Sequence, residues 1–145
     1  LESLPFEDEI LVSGMLFRIV HGRPAARLFQ AWDSMDVLLE GFTSSLTGKT
    51  YDSYICADSH MPYFRASSKG YAINTGSVGN SLGIPRVHAV LLKGELGSAE
   101  KAPLTCEILS IPYDNEEAVR VAEKYPELPG FENYRKEILT GVYSR

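Results

Sequence analysis

The stretch Ser53–Phe64, SYICADSHMPYF, decides how this chain folds. It begins as an apolar segment with the aromatic and β-branched residues that favour strands, and it turns polar at Asp58-Ser59-His60. A carboxylate and an imidazole therefore directly follow a buried strand, where the chain leaves the sheet. In open sheets with helices packed on them, ligands bind in the crevice outside the carboxyl ends of the strands. The stretch predicts a ligand site at such an edge.

A second histidine occupies the same kind of position earlier in the chain. His21 directly follows the apolar run 15–20. If residues 58–60 are extended, Asp58 and His60 point to one side, because side chains alternate along a strand. Imidazole and carboxylate together suit manganese, iron or zinc. We therefore predict that His21, Asp58 and His60 bind metal, with hydrogen-bonded loop histidines as the alternative.

Arg23 lies two residues beyond His21 and is a candidate for binding substrate. A guanidinium group forms paired hydrogen bonds with phosphate oxygens, so an arginine beside a metal-site histidine suits a phosphorylated ligand. A surface salt bridge is the alternative interpretation of this residue.

The segment Asn74–Gly79, NTGSVG, is a glycine-bearing loop after an apolar run. Its glycines allow positive φ and a close approach of the backbone to another segment or to a ligand. The segment does not match G-x-G-x-x-G and no helical pattern follows it, which argues against a dinucleotide-binding fold. We assign Ser77 to a structural turn. The TGKT at Thr47–Thr50 lacks the first glycine of a phosphate-binding P-loop.

Four further residues with reactive or bulky side chains have a structural interpretation. His88 lies in the middle of a strand pattern, which favours a packed or solvent-facing histidine over a ligand. Trp32 lies on the apolar face of a helical pattern and is expected in the core. Cys56 and Cys106, the only cysteines, lie in apolar runs and are expected to be buried free thiols, with one disulfide as the alternative.

The remaining pattern predicts a strand-rich body with one long early helix and two late ones. The predicted elements are a hairpin over 9–20 turning at Ser13-Gly14, a helix over 25–42, a strand over 53–57, a hairpin over 63–78 turning at Lys69-Gly70, strands over 86–96 and 104–113, a helix from 116 to about 125 capped by Asp114 or Asn115, and a helix over 131–142. This order predicts an α/β or α+β fold with a mixed sheet.

Composition indicates a globular protein with a single domain over residues 1–145. Hydrophobic residues make up 44% of the chain and charged residues 23%, and the net charge is −5 with no basic cluster, which excludes a strong nucleic-acid footprint. No apolar stretch reaches the roughly 18 residues that cross a membrane, and no signal peptide is visible. We therefore expect a cytoplasmic protein with no membrane partner. The first residue, Leu1, suggests a fragment or a processed product.

Taken in order, five blocks of the sequence resemble the second half of the calcineurin-like metallophosphoesterases, in particular their small prokaryotic phosphodiesterase branch. In that branch a strand ends in His-Gly, a later strand ends in Gly-His-x-His, and a hairpin follows with the turn Asn-Pro-Gly-Ser-Val-Gly. The resemblance covers nearly the whole chain and implies the second half of a four-layer α/β/β/α sandwich. The blocks are FRIVHGRP, YICADSHMPYF, YAINTGSVGN, VHAVLLKGEL and CEILSIPYD.

The resemblance also implies roles for individual residues. His21 matches a ligand of the family's second metal and His60 a ligand of the first, while Asp58 stands where the family has a histidine. Two divalent ions, manganese or else iron, zinc or nickel, are then expected in the complete protein. Such ions activate a bridging water and hold phosphoryl oxygens for in-line attack. Arg23 would steady the phosphate.

The family's earlier Asp-x-His, Gly-Asp and Gly-Asn-His blocks are not found before His21. The resemblance therefore implies the carboxyl-terminal portion of a phosphate-ester hydrolase, a phosphodiesterase or a phosphatase, and we assign no catalytic residue in this chain. The expected partners are a phosphate-ester substrate and the missing amino-terminal half or a second copy. One alternative is a degenerate member that binds metal, nucleotide or protein without turnover. The other is an unrelated α/β binding module with incidental histidines.

Overall fold

A mixed five-stranded sheet forms the body of the protein. The computed structural model describes residues 3, 5–22, 29–125, 127 and 129–144. The strands lie in the order β1-β2-β3-β5-β4, where β2, β3 and β5 are parallel and the edge strands β1 and β4 run antiparallel to their neighbours. The carboxyl ends of the three central strands therefore meet at one edge. The bounds are β1 Glu7–Val12, β2 Met15–Val20, β3 Ser53–Cys56, β4 Tyr63–Ala66 and β5 Tyr71–Asn74.

A separate two-stranded antiparallel sheet packs on one face of the main sheet. It consists of β6 (Val87–Lys93) and β7 (Thr105–Ile111). Half-buried side chains of this ribbon pack against the buried Phe17 and Ile73 of the main sheet. The opposite face is covered by the segment that contains α1 (Met35–Leu39). The prediction of an α/β protein with a mixed sheet is confirmed.

The two faces of the main sheet carry different cores because neighbouring residues of a strand point to opposite sides. The face under α1 is aromatic, and the Tyr54 ring packs edge-on against Phe42 and at a tilt against Phe29, with 5.3 Å between ring centroids in both pairs. Tyr54 is fully buried. Edge-to-face aromatic pairs of this kind add to the stabilisation that burial already supplies.

The predicted hairpin at Ser13-Gly14 is confirmed. Its tip packs against the loop that connects β6 to β7. Ser13 has φ 49° and Gly14 has φ 74°, the two positive values that a two-residue turn of type I′ requires. A β-carbon at Gly14 would lie 2.9 Å from the backbone of Glu100, so the glycine permits the docking as well as the turn. Ser13 is buried, and its hydroxyl donates to the Pro103 carbonyl at 3.2 Å.

The predicted helix over 25–42 is wrong over 29–34, where the chain is not helical. Helix α1 spans only Met35–Leu39 and continues as a 3₁₀ turn over Glu40–Phe42, while 23–28 lie outside the described residues. The chain turns at 30–33, where the Asp33 carboxylate accepts from the Gln30 amide at 2.9 Å. Asp and Ser side chains compete with the helical backbone in this way and start helices afresh.

Trp32 is not in the core, contrary to the prediction, because it lies on that turn. Its side chain is 69% exposed. The periodicity that suggested a core position assumed an unbroken helix, and the turn at 30–33 removes the common face.

The two late helices were predicted correctly, with shorter ends. Helix α2 spans Asn115–Ala122 and begins after Asp114, whose carboxylate accepts from the Glu117 amide at 2.8 Å. Helix α3 spans Phe131–Thr140 and ends at Gly141, which has a left-handed φ of 69°. No helix in the described part of the chain combines the length and apolarity that a membrane crossing requires.

A buried ion pair joins the first hairpin to the segment after α1. The Arg18 guanidinium is 4% exposed and lies 2.7 Å from the Glu7 carboxylate. It also donates to the Gly41 carbonyl at 2.9 Å, and the Ser44 hydroxyl donates to the other Glu7 oxygen at 2.5 Å. Both charges are thus satisfied where they leave water, as a buried pair requires.

We expect Arg18→Ala to lower the free energy of unfolding by about 3 kcal/mol, because it leaves the Glu7 carboxylate buried without its counter-charge. Urea denaturation measures this loss. Lys93→Ala is the matched control, since it breaks a fully formed but exposed pair with Glu107, and such pairs contribute little. Equal losses in the two variants would contradict the structural role of Arg18.

Glu7 also makes stability depend on pH. Burial alone would raise the pKa of its carboxyl, but hydrogen bonds from Ser44 and Arg18 and the Arg18 charge hold that pKa below its usual range. The ionised form is therefore favoured by folding, and its contribution is complete above about pH 5 and declines as the pH falls below about 4.5. The stability difference between the wild type and Glu7→Gln should shrink over that decline, as measured by denaturation at a series of pH values. A difference that grows on acidification would contradict this.

Candidate functional site

The carboxyl edge of the central strands brings together residues that are distant in sequence. The parallel pairing continues one step past the strand ends, because the Ala57 amide donates to the His21 carbonyl at 2.8 Å. On the other side of β3, the Thr75 amide donates to the Cys56 carbonyl at 2.9 Å. Side chains that follow β2 and β3 therefore start from neighbouring backbone positions.

His21 and Asp58 meet at this edge. His21 Nε2 lies 3.6 Å from Asp58 Oδ1, and the side chains are 80% and 36% exposed. Gly22 makes room for the carboxylate, since a β-carbon at residue 22 would collide with the Asp58 side chain. The pair is open to solvent, and its imidazole nitrogen and carboxylate oxygen are close enough to bind one ion together.

The turn after β3 departs from the extended shape assumed in the sequence analysis. Asp58 has φ 66° and His60 has φ 60°, so both lie in the left-handed region. The Ser59 amide closes the turn by donating to the Ala57 carbonyl at 2.7 Å. Asp and His tolerate this region better than most residues, yet each such position costs about 1–3 kcal/mol and persists only where the surrounding structure enforces it. Strict alternation of side chains therefore does not place Asp58 and His60.

Asn74, at the end of β5, enforces that turn. It is fully buried, and its amide group donates to the Ala57 carbonyl at 2.7 Å and to Ser59 Oγ at 3.0 Å. Its oxygen accepts from the Gly76 amide at 2.8 Å. In the sequence, Asn74 stands out only as the start of the predicted loop Asn74–Gly79. The signal that could have identified it is a lone amide at the end of the apolar strand Tyr71–Asn74, which needs partners once buried.

The structural interpretations of Ser77 and His88 are confirmed. His88 is buried on β6, and its Nδ1 lies 2.7 Å from the Ser81 hydroxyl, while burial and the nearby Arg86 charge lower the pKa of the imidazole. Ser77 Oγ accepts from the Asn80 amide at 3.0 Å and so closes a turn. Gly76 has φ 72°, and a β-carbon there would lie 2.8 Å from Cβ of His88, so the expected close approach is to protein.

Both cysteines are free, as expected. Cys56 is buried, and Cys106 is only half-buried in the ribbon. Burial raises the pKa of the Cys56 thiol to about 11 and raises that of Cys106 as well. Thiols of this kind are neutral at physiological pH and unreactive.

Asp58 and His60 line a cavity of about 650 Å³. Trp32 and Tyr143 line it as well, so it is formed by residues from both ends of the chain. The Leu82 amide donates to the His60 carbonyl at 3.2 Å and connects the turn to the cavity wall. Its volume lies within the range of about 300–1,000 Å³ that is common for small-molecule sites.

The donor set supports part of a metal site. The described residues contain no group of three or more histidine, cysteine or acidic side chains arranged to bind one metal ion. The structure brings His21 together with Asp58 and places His60 with Asp58 on the cavity, whereas Arg23 lies outside the described residues. The three-ligand site and the phosphate contact of Arg23 stay predictions.

The architecture of the chain resembles that of several solved structures. No protein-family model and no curated protein matches the chain. Among solved structures, a metallophosphoesterase from Sphaerobacter thermophilus is 17% identical, with a TM-score of 0.61 over 97% of this chain and 59% of that one. The protein has a metallophosphoesterase-like fold.

Two other solved structures agree in architecture. A hypothetical protein from Pyrococcus horikoshii OT3 is 18% identical, with a TM-score of 0.63 over 98% of this chain and 53% of that one. A double mutant of Vps29 from Entamoeba histolytica is 14% identical, with a TM-score of 0.50 over 77% of this chain and 64% of that one. The chain thus spans between one half and two thirds of the length of these proteins.

We expect Asn74→Ala to lower the free energy of unfolding by about 2–3 kcal/mol, because it leaves buried partners of the amide without hydrogen bonds. The amide signals of residues 57–60 should shift in NMR spectra as the turn relaxes, while urea denaturation gives the energy. Asn133→Ala is the matched control, since Asn133 is an exposed asparagine on α3. An unchanged turn in Asn74→Ala would show that Asn74 does not hold it.

Proposed function

We propose that this chain is the carboxyl-terminal portion of a metal-dependent hydrolase of phosphate esters, of the small prokaryotic phosphodiesterase branch. The observation that carries the proposal is the approach of His21 and Asp58 at the carboxyl edge of a sheet with this fold. Ligands of open α/β sheets collect at that edge. A phosphodiesterase and a phosphatase would both bind the phosphate at this edge. The substrate pocket would determine which ester is hydrolysed.

His21, Asp58 and His60 would provide the ligands that this chain contributes to two divalent ions. Manganese, iron, zinc and nickel all accept imidazole and carboxylate donors. Bound ions would supply an activated water and a clamp for phosphoryl oxygens. The described residues gather no complete ligand group, and we propose that the amino-terminal half or a second copy supplies the remaining ligands.

The turn at 57–60 would orient the carboxylate for this role. The Asn74 side chain forms hydrogen bonds with Ala57 and Ser59, on either side of Asp58. These bonds fix the turn from which Asp58 approaches His21. A ligand held in this way does not have to be ordered when the ion arrives. Arg23, two residues beyond His21, would steady the phosphate through paired hydrogen bonds.

The proposed macromolecular partner is the amino-terminal half of the same fold or a second copy of the chain. The matched proteins are about 1.7–1.9 times as long as the part this chain covers, as their 59% and 53% coverage implies. The two-stranded ribbon leaves Leu91 and Ile111 38% and 46% exposed, and further strands would cover them.

A binding protein without turnover is the second candidate. It is favoured by Asp58 at a position where the family resembled has histidine, and by the incomplete donor set in the described residues. Such a protein would hold metal, nucleotide or protein at the same edge. Metal content and hydrolysis, measured together, separate the two candidates.

We expect the complete protein to bind manganese and to hydrolyse a generic aryl phosphodiester when manganese is added. Asp58→Asn and His60→Ala should lower metal content and rate together, by roughly 10-fold or more, because a lost ligand weakens the ion that both depend on. Gly22→Ala should act in the same direction, since its methyl group displaces the Asp58 carboxylate. Metal analysis and a release assay measure the two quantities.

Glu95→Gln is the control, because Glu95 is an exposed carboxylate beside the hairpin tip at Ser13, at the end of the sheet opposite the edge. Its metal content and rate should equal those of the wild type. Full activity in both Asp58→Asn and His60→Ala would remove these residues from the site. Metal binding that depends on them, without hydrolysis of any ester, would establish the binding protein instead.

A further inference from the structure

Two large aromatic side chains are exposed beside the candidate site. Trp32 is 69% exposed and Tyr143 is 63% exposed, and both line the 650 Å³ cavity that Asp58 and His60 share. They come from opposite ends of the chain. Exposing so much apolar ring surface is unfavourable, and exposed aromatic residues gathered at one cavity mark a binding surface.

The turn that carries Trp32 is firmly held. Arg65 Nη1 donates to the Ala31 carbonyl at 3.0 Å and to the Asp33 carbonyl at 3.4 Å, the residues on either side of Trp32. Asp33 is 5% exposed and closes the turn through the Gln30 amide. The indole is therefore exposed, although the backbone on both sides of it is fixed by hydrogen bonds to Arg65.

The segment that carries Tyr143 is held in the same manner. Gly141 ends α3 in a left-handed conformation, and its carbonyl accepts from the Gly83 amide at 2.8 Å. One residue beyond Tyr143, the Ser144 amide donates to Glu137 Oε1 at 3.0 Å and its hydroxyl donates to the Asn133 carbonyl at 3.1 Å. Both flanks are fixed while the phenol ring stays exposed.

The remaining wall of the cavity suits a flat group that also carries hydrogen-bonding atoms. Met61 and Leu82 supply apolar, half-buried surface. Glu137 is 1% exposed and receives hydrogen bonds from Asn80 at 2.7 Å and from Ser144, so its carboxylate is engaged within the protein. Gln30 and Ser59 also line the cavity, and aromatic and apolar walls combined with a few hydrogen-bonding groups are typical of small-molecule sites.

We propose that this cavity binds the base of a nucleoside phosphate, with Trp32 and Tyr143 as stacking surfaces and the phosphate directed toward His21 and Asp58. The placement of the phosphate depends on the function proposed above, whereas the base site does not. Bases stack on aromatic side chains with little preference for sequence, because every base presents a π-face. The class of substrate is therefore a nucleotide or a nucleotide ester.

Charge predicts how the two parts of the ligand contribute. Asp58 opens into the cavity and the chain carries a net charge of −5, so a phosphate group alone is repelled unless a cation is present. The base should therefore bind without metal. The phosphate should add affinity only when manganese is supplied.

Trp32 is the single tryptophan of the chain, so indole fluorescence reports on this cavity directly. Adenosine, AMP and ribose 5-phosphate are the probes, each titrated without and with manganese. We expect quenching by adenosine and AMP and none by ribose 5-phosphate in the absence of metal. Tyr143→Ala should weaken adenosine binding by roughly 10-fold, as loss of a stacking surface does. Trp32→Ala, followed by calorimetry, should do the same.

Tyr125→Ala is the matched control, because Tyr125 is 51% exposed but lines a different groove between α2 and α3. It should bind adenosine like the wild type. Absence of adenosine binding, or equal binding of ribose 5-phosphate and AMP without metal, would overturn the base site. Adenosine binding that depends on Tyr143, in a protein that hydrolyses no ester, would support the base site and remove the proposed hydrolase.

Discussion

The hydrogen bonds between the ends of β2, β3 and β5 are the constraint on which the rest of the structure depends. Asn74 closes the edge by holding Ala57 and Ser59, and the His21 carbonyl accepts from Ala57 on the other side. A turn with two left-handed residues is unfavourable in an isolated chain, so it persists because a buried amide makes every alternative costlier. The position of Asp58 beside His21 and the opening of the cavity toward His60 both follow from that turn.

The candidate metal ligands His21 and Asp58 lie together at this edge of the sheet. Three parallel strands direct their carboxyl ends to one place, where Glu7 pairs with Val20 and forms the buried ion pair with Arg18, while the docked tip at Ser13 stabilises the opposite end of the sheet. Arg18 and His21 are separated by only two residues, yet one is buried in its ion pair and the other is 80% exposed. The frame thus presents the donor pair of His21 and Asp58 to solvent. That combination suits a metal-dependent reaction, and it suits recognition of a charged ligand equally.

Much of the fold was predictable because local chemistry specified it. The turns at Ser13-Gly14 and Lys69-Gly70 and the cap at Asp114 require particular residues, and those residues stand at the required positions. The long helix failed because Asp33 and Ser34 form competing side-chain hydrogen bonds, which periodicity does not register. Trp32 consequently moved from an expected core position to the rim of the cavity. Asn74 was overlooked because its partners lie 15 and 17 residues away in the chain.

By itself, the amino-acid sequence determined that this is an α/β protein with a mixed sheet and that histidine and aspartate follow two of its strands. Alternating apolar residues and glycine turns are local properties, so they can be read along the chain. Only the tertiary structure decided which of those residues meet, since that depends on strand order and on a buried amide from β5. It alone also set Trp32 and Tyr143 around one cavity, because contacts between the two ends of a chain leave no periodic trace in its sequence.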